Sequence, residues 1–192
     1  KVGGDTPVGK GVYTHFLDAK GGVRADLTVL RLAQDHYRVI DGADAGHRDL
    51  VWIERMAQDR GAHVKVTDTT TAYGCLGVWG PNARATIQKI ADEPEAWTHE
   101  NFSFAALRNL KIAGVPVLAF RISYVGEQGW ELHFKYEDGL ALWDALHALG
   151  VTPVGVETYA NSRRMEKSLR LQNADLLTEY NLFECDLARP KV

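Results

Sequence analysis

The sequence predicts an α+β protein in which antiparallel meanders pack against helices. Three observations predict it: glycine-punctuated runs rich in β-branched residues occur in two groups, each group is followed by apolar residues spaced three and four apart, and single strands never alternate with helices. The last point excludes a doubly wound parallel sheet. At 192 residues, against a norm of about 150 per domain, the chain has room for one large domain or two small ones sharing a core.

The first meander takes in Val12 to Leu17, Val23 to Leu32 and His36 to Ile40, with Gly21 and Gly22 between strands because only glycine accepts positive φ at little cost. Gly42 to Gly46 breaks it. A helix over His47 to Arg60 follows, with Leu50, Ile53 and Ala57 on one face and Gly61 closing it. Then come a strand at His63 to Thr67, a threonine-rich turn at Asp68 to Thr71, and a strand at Tyr73 to Trp79. Pro81-Asn82 opens a helix carrying Ala83, Ile87, Ile90 and Ala91, which Glu93-Pro94-Glu95 ends. The second meander runs through Leu107 to Ile112, Val115 to Tyr124 and Trp130 to Phe134. Tyr136 to Leu149 reads as a helix with Leu142, Leu146 and Leu149 on one face and Gly150 after its end, and Thr158 to Leu171 as the last helix. No linker, short repeat or low-complexity segment interrupts the chain. The expected organisation is one body over 1–192, built from two intertwined strand-helix subdomains of about 1–100 and 101–192.

A composition of 45% hydrophobic and 24% charged residues excludes disorder, collagen-like repeats and coiled coil. The net charge of −3 is spread without blocks, so neither nucleic acid nor an anionic membrane surface is expected as a partner. No apolar run approaches the ~20 residues of a membrane span. The first residues, Lys1 to Asp5, do not resemble a signal peptide, and the expected location is cytoplasmic or an organelle matrix. Cys75 and Cys185 have no second thiol nearby in sequence, so neither a disulfide framework nor a zinc knuckle is expected, and both read as buried thiols. The start without Met and the finish at Arg189 to Val192 suggest a portion of something longer.

Standard catalytic motifs are missing: there is no Walker loop, no G-x-G-x-x-G after a strand and no G-x-S-x-G. The seven histidines never fall at metal-ligand spacing, so no metal site is expected. His15 and His133 lie in strands, where solvent-facing or hydrogen-bonded histidines are the commoner case, and neither is assigned a role. Asp26 is out of place inside a strand pattern, where its carboxylate competes for backbone donors. It reads either as a residue near a hairpin mouth or as a carboxylate aimed into a pocket. Tyr124 and Glu131 flank the turn Gly126 to Gly129, where both can face one side of a hairpin, but Glu131 alternates with apolar residues and fits a solvent face equally well. Val78 to Arg84 reads either as a plain strand-to-helix turn or as a helix N-terminus that binds an anion, and Asn161 to Lys167 either as a solvated polar helix face or as one with some polar residues facing a cavity.

Together these stretches resemble the folate-binding aminomethyltransferase family, which includes the glycine cleavage T-protein and the C-terminal part of dimethylglycine and sarcosine dehydrogenases. The resemblance lies in Tyr13 to Leu32, Gly77 to Arg84, Ser123 to Leu132 and Asn161 to Lys167, in order from near Thr6 to Leu187. The form Ala25-Asp26-Leu27-Thr28-Val29, with Asn161 and Glu166-Lys167, is similar to the dehydrogenase-linked branch. The resemblance implies that Asp26 is the essential carboxylate at the folate ring nitrogens, and that Tyr13, Tyr124 and Glu131 line the pterin pocket. Val39 and Asp41 fall where the family has an apolar residue followed by Asn, so Asp41 is a departure. Arg164 matches the helix motif, whereas Ala160 stands where the T-protein has Arg.

The implied fold is the family's, without its N-terminal part and its C-terminal barrel. The implied cofactor is tetrahydrofolate, with FAD only on a domain outside this chain. The implied activity is transfer of a methylene or aminomethyl unit from a small methylated amine of the glycine type, with a dehydrogenase domain or subunit as partner. Two rival readings stand beside it: a folate-dependent O- or S-demethylase, and a non-catalytic folate-binding module.

Overall fold

The computed structural model describes residues 5–42 and 44–188; the readings made on Lys1 to Gly4 and on Arg189 to Val192 lie outside the described residues. The first sheet is antiparallel in the order β1 (Lys10–Leu17), β2 (Val23–Ala33), β3 (His36–Ile40). Its first hairpin is tied by Asp18, whose Oδ1 accepts from the backbone N–H of Lys20 at 2.8 Å and of Gly22 at 2.9 Å, while Gly21 takes φ +87°. Helix α1 (Gly46–Asp59) follows.

The second sheet runs β4 (Tyr73–Trp79), β7 (Gly129–Lys135), β6 (Val115–Phe120), β5 (Leu107–Ile112). Strand β4 belongs to the first half of the chain in sequence and to the second sheet in space, paired with β7 from Tyr73 opposite Lys135 to Trp79 opposite Gly129. Between and after these strands lie α2 (Ala83–Gln88), a 3-10 turn at Pro94–Trp97, α3 (Gly139–His147) and a π-helical segment, Thr158–Arg163.

Residues directly opposite in an antiparallel pair share a face, so the register sorts the second sheet into two sides. One side carries Val78, Trp130, Leu132, Val117, Ala119 and Ile112, which α2 and α3 cover with Ile87, Leu142 and Leu146 to make the main core. Trp97, Phe102 and Trp130 anchor it, with ring centroids 5.3–5.7 Å apart. The other side carries Cys75, Trp79, Glu131, His133 and Phe120 and turns toward the first sheet. The sheets meet at Gly11, where an added Cβ would overlap both the Phe120 ring and Leu30. Gly11 N–H also donates to Ala105 C=O at 2.9 Å. Among the described residues no helix is long and apolar enough to cross a membrane.

The fold class is the one expected, with local differences; among them, α2 ends at Gln88 and Ala91, expected in that helix, bridges to Ile112. No strand forms at His63 to Thr67: Val64 is 61% exposed, and β-branched alternation makes a strand only where a neighbouring edge is there to pair. Strand β6 stops at Phe120, short of Tyr124, because Arg121 turns back to Ala105 and Ala106 and the Ile122 carbonyl accepts from Trp79 Nε1 at 2.8 Å. The helix expected over Tyr136 to Leu149 splits into a 3-10 turn, Tyr136–Asp138, and α3, which the Gly150 turn at φ +76° follows. The helix expected over Thr158 to Leu171 is π-helical and short, and Ser168 at φ +54° closes the turns that follow it. Cys185 is buried as expected, but Cys75 is exposed, since its side of β4 opens onto a cleft.

Candidate functional site

Strand pairing places His15 opposite Asp26 and Tyr13 opposite Thr28, so Tyr13, His15 and Asp26 share the face of the first sheet that carries Gly11 and Leu30. The Tyr13 hydroxyl donates to Asp26 Oδ2 at 3.0 Å. His15 Nε2 lies 3.2 Å from the same hydroxyl; with its one hydrogen engaged by Asp26, the phenol oxygen accepts from His15. Burial pushes the Asp26 carboxyl above the usual carboxylate range, and the Tyr13 hydrogen bond and the His15 charge pull it part of the way back. Burial, followed by the Asp26 charge, drives the Tyr13 phenol upward, so it stays a neutral donor. Although 44% of Tyr13 is exposed, its hydroxyl is the crowded end.

A second group stands on the facing sheet. The ring of Tyr159, from the π-helical segment, stacks on Trp79 at 5.3 Å and 9°, and the ring of Tyr124 leans on Tyr159 at 5.4 Å. Trp79 and Tyr159 border a cleft of about 660 Å³ whose walls also include Cys75, Glu131, Trp143 and Arg163. A cleft of this size takes a ligand of drug-like dimensions. Arg163 pairs with Glu127 of the Gly126 to Gly129 turn along one side. Burial, with the Glu131 charge next, raises the Tyr159 phenol, and burial pushes Tyr124 up to about 12.

The structure does not put all the expected residues on one wall. Glu131 lines the cleft; Tyr13, Asp26 and Tyr124 do not. Tyr124 joins the two groups: the Asp26 charge acts on its hydroxyl, its ring touches Tyr159, and its O–H donates to the Arg170 carbonyl at 2.7 Å. Val39 pairs with Val29 and lies on the sheet face opposite Tyr13 and Asp26, 40% exposed, so it does not join them. Asp41 sits at the end of β3, raised by burial and by the neighbouring Asp49, itself a fully buried carboxylate held by Arg48 at 2.9 Å.

Arg164 is buried, and its guanidinium is occupied by the carbonyls of Ala160 at 2.7 Å and Leu169 at 2.9 Å and by Asp175. It pins the segment that accepts the Tyr124 hydrogen bond. The aromatic wall of Trp79 and Tyr159 was not expected from sequence. The available signal was Gly77, a glycine inside a strand pattern, which marks a close approach: a Cβ there would collide with the Trp79 ring.

Residues 3–190 match the family described as GCVT N-terminal domain. The chain is 38% identical over 178 residues to dimethylglycine dehydrogenase, mitochondrial, of Homo sapiens, covering 91% of this chain and 20% of that protein. It is 31% identical over 181 residues to aminomethyltransferase of Xanthomonas oryzae pv. oryzae, covering 94% of this chain and 48% of that protein. The chain thus spans about a fifth to a half of the relatives it matches. The crystal structure of glycine cleavage system aminomethyltransferase T from Bartonella henselae shares the fold, with a TM-score of 0.76 and 20% identity over 93% of this chain and 46% of that one. Because the family match runs through both sheets and through every residue placed above, the chain belongs to the GCVT N-terminal domain family.

Proposed function

We propose that this chain is the folate-binding part of a tetrahydrofolate-dependent one-carbon transferase. The observation that carries the reading is the Tyr13–Asp26 hydrogen bond, which holds a desolvated carboxylate whose charge reaches Tyr124, the neighbour of the Tyr159 ring in the wall of an aromatic cleft. The cleft suits a reduced pterin: the stacked pair of Trp79 and Tyr159 forms an aromatic wall for a ring to pack against, and Glu131 offers a carboxylate that accepts from two donors at once with charge-assisted strength. Bound tetrahydrofolate supplies the ring nitrogens that take up the one-carbon unit. Asp26 takes the proton released there, and its raised pKa brings it closer to neutral pH than an ordinary carboxylate, as a general base requires. Tyr13 fixes the carboxylate, and Tyr124 holds the join between Asp26 and the cleft.

The likeness to dimethylglycine dehydrogenases favours a methylated amine of the glycine type as donor and a dehydrogenase domain or subunit as partner, with any FAD on that partner. A compartment of cytosol or organelle matrix fits both kinds of relative. Titration with tetrahydrofolate tests the reading, because Trp79 in the cleft wall reports binding by fluorescence. Saturable quenching with a rise in Tm is expected, since a ligand at a hundred times its Kd stabilises by about 2.7 kcal/mol. Absence of both overturns the proposal.

A further inference from the structure

We infer a binding site for a divalent cation of the zinc class, formed by Cys75, Glu131 and His133 on the cleft side of the second sheet. Cys75 lies directly opposite His133 in the β4–β7 ladder, and Glu131 is two residues from His133 on the same strand, so all three side chains rise from one face of a paired sheet. The Cys75 Sγ, a Glu131 carboxylate oxygen and a His133 ring nitrogen all lie within 4.8 Å of one another. Thiolate, imidazole and carboxylate bonds to zinc of about 2.0–2.3 Å in a tetrahedron put donors roughly 3.4–3.7 Å apart. Glu131 Oε2 and His133 Nε2 already stand at 3.5 Å.

His133 supplies the second observation. Its side chain is 6% exposed, and its Nε2 is buried without a hydrogen-bond partner while aimed at this cluster. A buried polar nitrogen without a partner costs free energy, which a metal–nitrogen bond would recover. Access exists because Cys75 and Glu131 line the 660 Å³ cleft, leaving the fourth coordination position facing it. The softness of thiolate and imidazole selects zinc, cadmium or cobalt over magnesium or calcium. No spacing of histidines along the chain announces the site, because the sheet register, not the sequence, brings the donors together.

The site does not depend on the folate reading. It shares Glu131 with that reading, so metal and pterin would exclude one another there.

The test is alkylation of Cys75 by iodoacetamide, followed by peptide mass spectrometry with and without Zn²⁺; the buried Cys185 serves as internal reference. With Zn²⁺ at ten times its Kd the rate at Cys75 should fall roughly tenfold, as the free fraction does. Magnesium at the same concentration should leave the rate unchanged. Co²⁺ added to the same protein should give a thiolate-to-cobalt charge-transfer band that Cys75→Ser removes. An alkylation rate insensitive to Zn²⁺, equal protection by Mg²⁺, or a cobalt spectrum unchanged in Cys75→Ser each overturns the site. All three readings are made without folate, so they stand whether or not tetrahydrofolate binds.

Discussion

The Tyr13 hydroxyl reaches across the β1–β2 ladder to Asp26 Oδ2 at 3.0 Å, and this bond opposes the burial that hinders Asp26 from ionising. Burial raises the Asp26 pKa, and the phenol is the first influence pulling it down. Removing the phenol by Tyr13→Phe should therefore move the Asp26 pKa further up. In the intact protein the acidic limb of the pH–rate profile should shift to higher pH, with a smaller loss of maximal rate than removal of the carboxylate gives. A profile superposable on wild type would show that Tyr13 does not tune Asp26.

Asp26→Asn separates charge from shape. Losing a positioned general base costs about 10²–10⁴ in rate, and transfer by the intact protein should fall by that much. Stability should move the other way. A carboxyl whose folded pKa is raised binds protons more tightly when folded, so its contribution is fully present below the unfolded value of about 3.9 and is lost as pH rises through the folded value. Asparagine does not titrate. The Tm of Asp26→Asn relative to wild type should increase from pH 3 toward pH 7, as thermal melts across that range would show. A constant difference would mean that Asp26 ionises without penalty in the folded chain.

The two-meander architecture was legible because glycine punctuation and β-branched runs are local signals, and Tyr73 to Trp79 was placed to the residue. The assignment of that strand to the second sheet was not legible, since pairing with β7 depends on contacts far apart in sequence. Asp26 stood out as a residue type in unusual surroundings, Glu131 only as one of two readings of a hairpin turn, and Tyr13 only through the family resemblance. Tyr159 did not, because a π-helical turn carries no periodic signature of its own, and only the folded chain brings its ring onto Trp79. Val39 shows the converse: a motif position can match while strand alternation turns the side chain to the other face.

Glu131→Gln should weaken tetrahydrofolate binding by roughly tenfold, the difference between charge-assisted and neutral hydrogen bonds of about 1–2 kcal/mol. Glutamine offers one acceptor where the carboxylate offers two, and its amide would confront a pterin donor with another donor. Fluorescence titration of both proteins with the same reduced folate decides it. Equal affinities would leave Glu131 without a part in pterin binding.

Gly77→Ala tests the aromatic wall itself. A Cβ at Gly77 would overlap the six-membered ring of Trp79, which is held from behind by the bond from Nε1 to the Ile122 carbonyl at 2.8 Å and in front by the Tyr159 stack. With the ring bounded on those sides, either the indole swings into the cleft and leaves its hydrogen bond or β4 shifts against β7. Overpacking of this kind costs about 1–3 kcal/mol, which a thermal melt resolves. Displacing Trp79 also removes the surface on which Tyr159 rests, so tetrahydrofolate affinity should fall together with a change in tryptophan emission. Gly155→Ala is the matched control, because nothing lies within 4 Å of the Cβ it would add. If Gly77→Ala keeps full affinity despite an altered emission spectrum, the Trp79–Tyr159 stack is structural and the pterin face must be sought on the Tyr13–Asp26 side of Tyr124.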